Sequence, residues 1–468
     1  MYFESLRVED KMFIRKLEIG SFRGLNDLEL TFLKPEHNYF KKLSLSILVG
    51  ENGTGKSSIF QLLTSLFSPT QFKSNMQPDC KLEYEINGQY ILYDSNEMYP
   101  INYPAKMIVS SFSAFDPYDQ WSYVPFKPKL EKALERNKVE DMTKYIHLGP
   151  SNRGYSSFDN VILAITKSLF IRSEDKKKLK CYHDLLNIIK FRRAKGLIIN
   201  HERLREIPRL IETLATKFQG MDRAIRIYKE IYEKTLELRR ESNVHFPNYR
   251  RFRPRGFAIA VEQFSFELSE LYSEYVNLDF IGPMIKDVIF ENENGDEVLL
   301  SEMSSGEITM LYRFLPLVME IEDNNIILID EPETHLHPRW TRKFIPYLTS
   351  LFSEYDVHVL IATHSPAIAS DVPMKCIVGL RKQEGRVHQY TPRDRTLGGH
   401  SNDMLQDVFE LKELSSINGQ KSIEQIIEIL EQSPTSKQIK EAQQIYKDLS
   451  TTSEKYRLYQ KYKRFLGE

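Results

Sequence analysis

Eight consecutive residues, Gly50-Glu51-Asn52-Gly53-Thr54-Gly55-Lys56-Ser57, have the composition and spacing to wrap a phosphate chain. They fit G-x-x-x-x-G-K-[ST] at Gly50, Gly55, Lys56 and Ser57. Glycines let such a loop take positive φ and turn its N–H groups inward around the phosphates. Lys56 is then expected to neutralise the β- and γ-phosphates, and the Ser57 hydroxyl to ligate Mg²⁺. Asn52, Gly53, Thr54, Gly55 and Ser58 complete the expected ATP contacts. A second pair of chemical groups, Asp330-Glu331, ends the apolar run Ile326-Ile327-Leu328-Ile329. Adjacent carboxylates at a strand tip can divide two tasks, Asp330 holding Mg²⁺ and Glu331 serving as general base for the attacking water. His364 follows a third apolar run, Val357 to Ala362, in a Thr-His-Ser-Pro turn, and can donate to a γ-phosphate while titrating near neutrality.

The fourth group is Ser304-Ser305-Gly306-Glu307. It precedes a helical pattern at Ile308, Leu311, Tyr312, Phe314, Leu315 and Val318, so it reads as a capped helix start. Free N–H groups and the helix dipole make such a start an anion site. The loop already binds one face of a nucleotide, so this helix would serve the ATP of a second copy of the chain.

These groups need particular elements behind them. Leu43 to Val49 alternates as a strand ahead of the glycine-rich loop, and Ser57 to Phe67 carries apolar residues at helical spacing. The runs ending at Asp330 and Ala362 read as buried parallel strands. The phosphate loop and the carboxylate pair lie far apart in the chain, so one discontinuous α/β core must join them. That gives a head made of residues 1–125 and 280–395, a mainly helical, compact insertion at 126–279, and a helical C-terminal segment at 396–468. The insertion keeps no heptad and is too short for a long coiled-coil arm.

In this order the motifs resemble the ABC-type ATPases of the SMC/RecF/OLD group. The run Asp330-Glu331-Pro332-Glu333-Thr334-His335-Leu336-His337-Pro338 is similar to the D-E-P-E-x-x-L-H-P stretch of that group. Met303-Ser304-Ser305-Gly306-Glu307 is close to its signature, and Ile14 to Leu25 resembles its first strand. The resemblance implies a P-loop head with ATP and Mg²⁺ as cofactors, and it implies that Arg23 approaches the bound nucleotide. It also implies a Gln contacting Mg²⁺ after the strand Lys106 to Phe112, and none stands there. Ser111, Ser113, Asp116 and Gln120 remain as its substitutes. Size and the segment Thr396 to Leu405 are most similar to stand-alone anti-phage ATPases of the Septu/retron PtuA kind and the PARIS AriA kind.

Composition sets the outer bounds. The 64 Lys+Arg and 65 Asp+Glu residues leave a net charge of −1, which argues against bulk binding of a polyanion. The one concentrated basic surface is Arg250, Arg251, Arg253 and Arg255, interleaved with Phe246, Tyr249, Phe252 and Phe257. Arginine among aromatics suits nucleic-acid phosphates and bases, and it equally suits a loop pairing with acids or a partner protein. No apolar run approaches the ~18 residues of a membrane span, and no secretory signal opens the chain. Cys80, Cys181 and Cys376 are unpaired by spacing, in keeping with a reducing cytoplasm. No acidic nuclease pattern follows the head. The expected reading is an ATPase that forms a homodimer or higher homo-oligomer around ATP and regulates a separate effector, such as a nuclease, in anti-phage defence. A RecF-like DNA-maintenance clamp is the alternative, and a transporter-coupling subunit a distant third.

Overall fold

The computed structural model describes residues 12–67, 78–95, 102–111, 118, 144–148, 157–169, 175–217, 220–241, 256–278, 284–392, 395–400, 404–405, 407–409, 417–432, 434–450 and 453–466. Its strands in chain order are β1 (Phe13–Phe22), β2 (Leu25–Thr31), β3 (Ser44–Gly50), β4 (Asp79–Ile86), β5 (Gln89–Asp94), β6 (Lys106–Ser111), β7 (Lys144–Leu148), β8 (Phe191–Asn200), β9 (Gly256–Ala260), β10 (Ile285–Asn292), β11 (Glu297–Leu299), β12 (Asn325–Asp330), β13 (Val357–Ala362), β14 (Ile377–Gln383) and β15 (Arg386–Tyr390). The helices are α1 (Lys56–Phe67), α2 (Ser157–Ser168), α3 (Lys176–Ile188), α4 (His201–Lys217), α5 (Asp222–Glu241), α6 (Phe266–Leu278), α7 (Ser305–Glu320), α8 (Pro338–Thr341), α9 (Phe344–Phe352), α10 (Pro366–Ala369), α11 (Ile417–Glu431), α12 (Ser436–Asp448) and α13 (Ser453–Leu466).

The frame is a seven-stranded sheet in the order β15-β14-β3-β13-β12-β6-β7, parallel except at β15. Strands β3, β6, β12 and β13 are buried along their whole length. That explains the unbroken apolar run Ile326 to Ile329 of β12 and the mostly apolar make-up of the other three: a parallel strand covered on both faces has no solvent side to make polar. Ile326, Leu328, Met107, Val109, Leu360 and Ala362 share one core layer with α1 and the antiparallel sheet β2-β1-β4-β5. Ile327, Ile329, Ile108, Val359 and Ile361 face the opposite layer, packed by α2, α3, α7 and α9. The parallel register brings the carboxyl ends of β3, β12, β13 and β6 to one edge, where an α/β sheet presents its ligand crevice.

The antiparallel sheet is tied to the parallel one by polar groups. Ile14 N–H donates to Nδ1 of His358 at 3.0 Å, which leaves Nε2 as the protonated nitrogen, 2.9 Å from Ser46 Oγ. Complete burial drives the His358 pKa down to about 3, so this imidazole is neutral and structural.

The insertion expected to be mainly helical also supplies strands. β7 extends the parallel sheet, while β8 and β9 form a second antiparallel sheet in the order β11-β10-β8-β9. The boundary at residue 280 therefore passes through that sheet, because β10 pairs with β8 along most of its length. Helix α2 packs on α7, so the insertion rests against the helix that begins at Ser304-Ser305. In the C-terminal segment α11, α12 and α13 share a small core of Ile426, Leu430, Ala442, Leu458, Tyr462 and Leu466. All three cysteines are buried, and burial pushes the thiols up to about 12, 11 and 12 at Cys80, Cys181 and Cys376. Among the described residues no helix is long and apolar enough to cross a membrane.

Candidate nucleotide and magnesium site

The glycine-rich loop leaves β3 at Gly50 and enters α1 at Lys56. Gly55 has φ +86, and a Cβ there would lie 2.6 Å from Leu25 Cδ2, so both backbone and space require glycine. Thr54 Oγ1 closes the loop by donating to Glu51 O at 2.8 Å. The Lys56 ammonium folds into the loop, donating to Gly50 O at 2.9 Å and Glu51 O at 3.2 Å. Burial draws its pKa down to about 8, against the opposing fields of Asp330, Glu331 and Glu333. Additional negative charge at this point, such as a phosphate, would stabilise the ammonium further.

Asp330 closes β12 and is 2% exposed. Burial raises its pKa to about 6, countered by hydrogen bonds from Ser57 and Tyr118. Tyr118 Oη donates to Oδ2 at 2.9 Å, whereas Oδ1 is buried with no partner among the described residues. An unpaired carboxylate oxygen beside a serine hydroxyl is a donor set that Mg²⁺ takes, the rest of its shell coming from phosphates and water. Among the described residues no three His, Cys, Asp or Glu side chains gather into a protein-only metal site. The residues fit a magnesium ion that arrives with a nucleotide.

Glu331, the next residue, sits in the left-handed region with φ +49. Its N–H donates to Ala362 O at 2.9 Å, which turns the side chain off the sheet edge. Such backbone in a non-glycine residue costs on the order of 1–3 kcal/mol and clusters at functional sites. The Glu331 carboxylate is half-exposed, accepts from Thr334 Oγ1 at 3.3 Å, and lies 3.9 Å from His364 Nε2. Burial lowers the His364 pKa, with Lys56 adding to the effect and Glu331 opposing it. The imidazole is therefore biased towards its neutral form near pH 7.

Two residues given no role on sequence grounds hold these groups in place. Glu333 Oε1 accepts from Thr363 Oγ1 at 2.8 Å and from His364 N–H at 2.6 Å, fixing the turn that carries the imidazole. Arg313, on α7 and only 3% exposed, donates to the carbonyls of Pro332 and Thr334 on either side of Glu333. Burial lowers the guanidinium to about 9, and Glu333 counteracts this. A connected path thus runs from α7 through Arg313 to the 332–334 turn, and from Glu333 to His364. Glu333 stood within the quoted acidic run, which was a usable signal. Arg313 is eight residues into a helix with nothing in its spacing to single it out.

The helix start at Ser304 is a reciprocal cap. Ser304 Oγ accepts from Glu307 N–H at 3.4 Å, and Ser304 N–H donates to Glu307 Oε2 at 2.8 Å. A Cβ on Gly306 would meet Trp340 Nε1 at 2.5 Å, so the indole just beyond the carboxylate pair packs flush on the Ser305-Gly306 backbone. Among the described residues, the contacts of Ser304, Ser305 and Gly306 are with their own helix and with Trp340, not with the glycine-rich loop. Arg23, at φ +45, donates to Gln61 Oε1 on α1 and lies over the Phe22 ring, which ties it to the loop helix. Of the substitutes for the missing Gln, Ser111 is fully buried at the end of β6. Ser113, Asp116 and Gln120 lie outside the described residues, as do Arg250, Arg251, Arg253 and Arg255.

Comparison with known proteins gives a consistent picture. Residues 12–234 match the family model described as an AAA ATPase domain. Residues 166–371 match one described as an AAA domain, putative AbiEii toxin, Type IV TA system. Protein ea59 of Escherichia phage lambda is 23% identical over 402 residues, covering 84% of this chain and 59% of that protein. The Retron Vc95 probable ATPase of Vibrio cholerae serotype O1 biovar El Tor is 21% identical over 443 residues, covering 84% of this chain and 78% of that protein. Septu protein PtuA of Bacillus thuringiensis is 30% identical over 107 residues, covering 20% of this chain and 26% of that protein.

Proposed function

We propose that this chain, an ABC-type P-loop ATPase of the SMC/RecF/OLD group, binds MgATP between two copies of itself and uses the ATP-bound assembly to control a separate effector in anti-phage defence. The observation that carries this reading is the Asp330-Glu331 pair at the tip of β12, facing Lys56 and Ser57 across the sheet edge, with His364 within 3.9 Å of Glu331. Lys56 exchanges its loop carbonyls for the β- and γ-phosphates. Ser57 and Asp330 would hold the magnesium ion, which would supply positive charge to the phosphate oxygens. Glu331 accepts a proton from the water that attacks the γ-phosphorus, and His364 donates to a γ-phosphate oxygen. Arg23 steadies α1 beside the nucleotide.

Each ATP would lie under the Ser304-Ser305-Gly306 helix start of the second copy, whose N–H groups meet the γ-phosphate. Hydrolysis removes that phosphate and with it the contact that joins the copies. Within this scheme the head at 1–125 and 280–395 and the insertion act together, joined through the pairing of β8 with β10, and the C-terminal segment is a further unit. Relatives described as a retron ATPase and a Septu protein support the defence reading, and a nuclease is the effector class that fits it.

Size-exclusion chromatography with light scattering tests the scheme. Glu331→Gln is expected to accumulate an ATP-dependent assembly that the wild type forms only transiently, and Lys56→Ala to abolish it. Wild-type ATP turnover in Glu331→Gln would remove Glu331 from its role. Affinity capture of Glu331→Gln from its host is expected to bring down the effector; capture of DNA alone favours the DNA-clamp alternative.

A further inference from the structure

Two buried hydroxyls close β6. Ser110 Oγ and Ser111 Oγ are both inaccessible and have no hydrogen-bond partner among the described residues. Burying an unpaired hydroxyl is unfavourable, so such a group in a functional cleft points to a ligand. Their directions differ. Along β6, Met107 and Val109 belong to the α1 layer and Ile108 to the opposite one, so alternation sends Ser111 towards α1 and Ser110 away from it.

Strand β12 sets the neighbour. Ile326 and Leu328 face the α1 layer, which places Asp330 on that same face, and the parallel register pairs Asp330 directly with Ser111. Adjacent strands lie ~4.8 Å apart. The two unpaired oxygens, Ser111 Oγ and Asp330 Oδ1, therefore stand side by side on the face from which Ser57 approaches. Tyr118 Oη spans the remaining gap, 2.9 Å from Asp330 Oδ2 and 3.3 Å from Ser57 O. It occupies Oδ2 and leaves Oδ1 as the oxygen available to a cation.

We propose that the Ser111 hydroxyl is a further donor to the shell of the nucleotide-bound magnesium, and that Tyr118 is the positioning residue that orients Asp330 towards it. Together they do here what the absent Gln would do. The proposal rests on the MgATP reading of the site, and the test separates the two. Affinity of the purified full chain for a fluorescent ATP analogue is measured with Mg²⁺ and with EDTA. Ser111→Ala is expected to lower the Mg²⁺-dependent gain in affinity by about tenfold, and Tyr118→Phe by a few-fold, with affinity in EDTA unchanged. Ser110→Ala, its hydroxyl on the opposite face, should behave as wild type. Melting in EDTA should be no lower for Ser111→Ala, since it removes an unpaired buried group.

A wild-type Mg²⁺ dependence in Ser111→Ala overturns the proposal while leaving the site reading intact. An equal loss in EDTA, or the same loss in Ser110→Ala, also overturns it by showing a packing effect. Absence of any Mg²⁺-dependent gain in the wild-type chain overturns both the proposal and the site reading.

Discussion

Replacing Arg313 by methionine tests the path from α7 to the 332–334 turn. The side chain is 3% exposed and donates to Pro332 O and Thr334 O. Two hydrogen bonds from a charged donor are worth about 1.5–3 kcal/mol each, or roughly 3–6 kcal/mol together. Part of that is offset because methionine removes a buried charge, one held far enough from water to bring its pKa to about 9. A net loss of about 2–4 kcal/mol in urea unfolding is therefore expected. Turnover should fall by a comparable free energy, since a hundredfold loss corresponds to about 2.7 kcal/mol. The 332–334 turn separates Glu331 from the Glu333 contacts to Thr363 and His364, and a shift of ~1 Å in such a group costs about a hundredfold. ATP affinity should stay within about threefold, because the loop is built on β3 and α1. Arg313→Lys, able to reach one carbonyl but not both as a fork, should fall between. Turnover within about threefold of wild type in Arg313→Met, at saturating ATP, would refute the idea that this guanidinium positions the 332–334 turn for ATP hydrolysis.

Two further expectations follow from single contacts. His358 is neutral when folded, with a pKa near 3 against an ordinary 6.5, so the unfolded chain binds the extra proton between those values. Its contribution to stability is complete above pH 6.5 and is lost as pH falls, by up to about 1.4 kcal/mol per unit, and denaturation of His358→Gln should show a correspondingly flatter acid limb. Gly306→Ala forces a Cβ to within 2.5 Å of Trp340 Nε1. In the Glu331→Gln background it should abolish the ATP-dependent assembly seen by light scattering while the loop still binds nucleotide, and Trp340→Ala should partly restore assembly.

The parallel core was legible because its strands are buried on both faces. Ile326 to Asp330 and Val357 to Ala362 announce themselves as apolar runs, and Leu43 to Val49 as an alternating strand, each leading into a chemical group. The second antiparallel sheet was not. Strand β8 opens with Phe191-Arg192-Arg193-Ala194-Lys195, half of it solvent-facing, and acquires its strand character from pairing with the distant β10. The glycine-rich loop, the carboxylate pair and His364 could be nominated from spacing alone. Arg313 and Tyr118 could not, because each acts by reaching a residue remote in sequence, Pro332 and Asp330 respectively, while Glu333 stood in the quoted acidic run but shows its role only through Thr363 and His364. A missing Gln was visible as a gap in a pattern. What stands nearest that gap, a phenol and two unpaired oxygens, required three elements to be seen together.

The burial of Cys80, Cys181 and Cys376 makes the native chain a quiet background for thiol chemistry. With no accessible thiolate, maleimide dyes have nothing to react with until a cysteine is introduced. Lys382 lies exposed on the β14–β15 hairpin, on the far flank of the sheet from β12. Lys382→Cys would carry one fluorophore per chain, two residues beyond Leu380, which pairs with Gly50 at the head of the phosphate loop. Energy transfer between differently labelled copies would then report joining and parting in real time, over a single round of nucleotide hydrolysis.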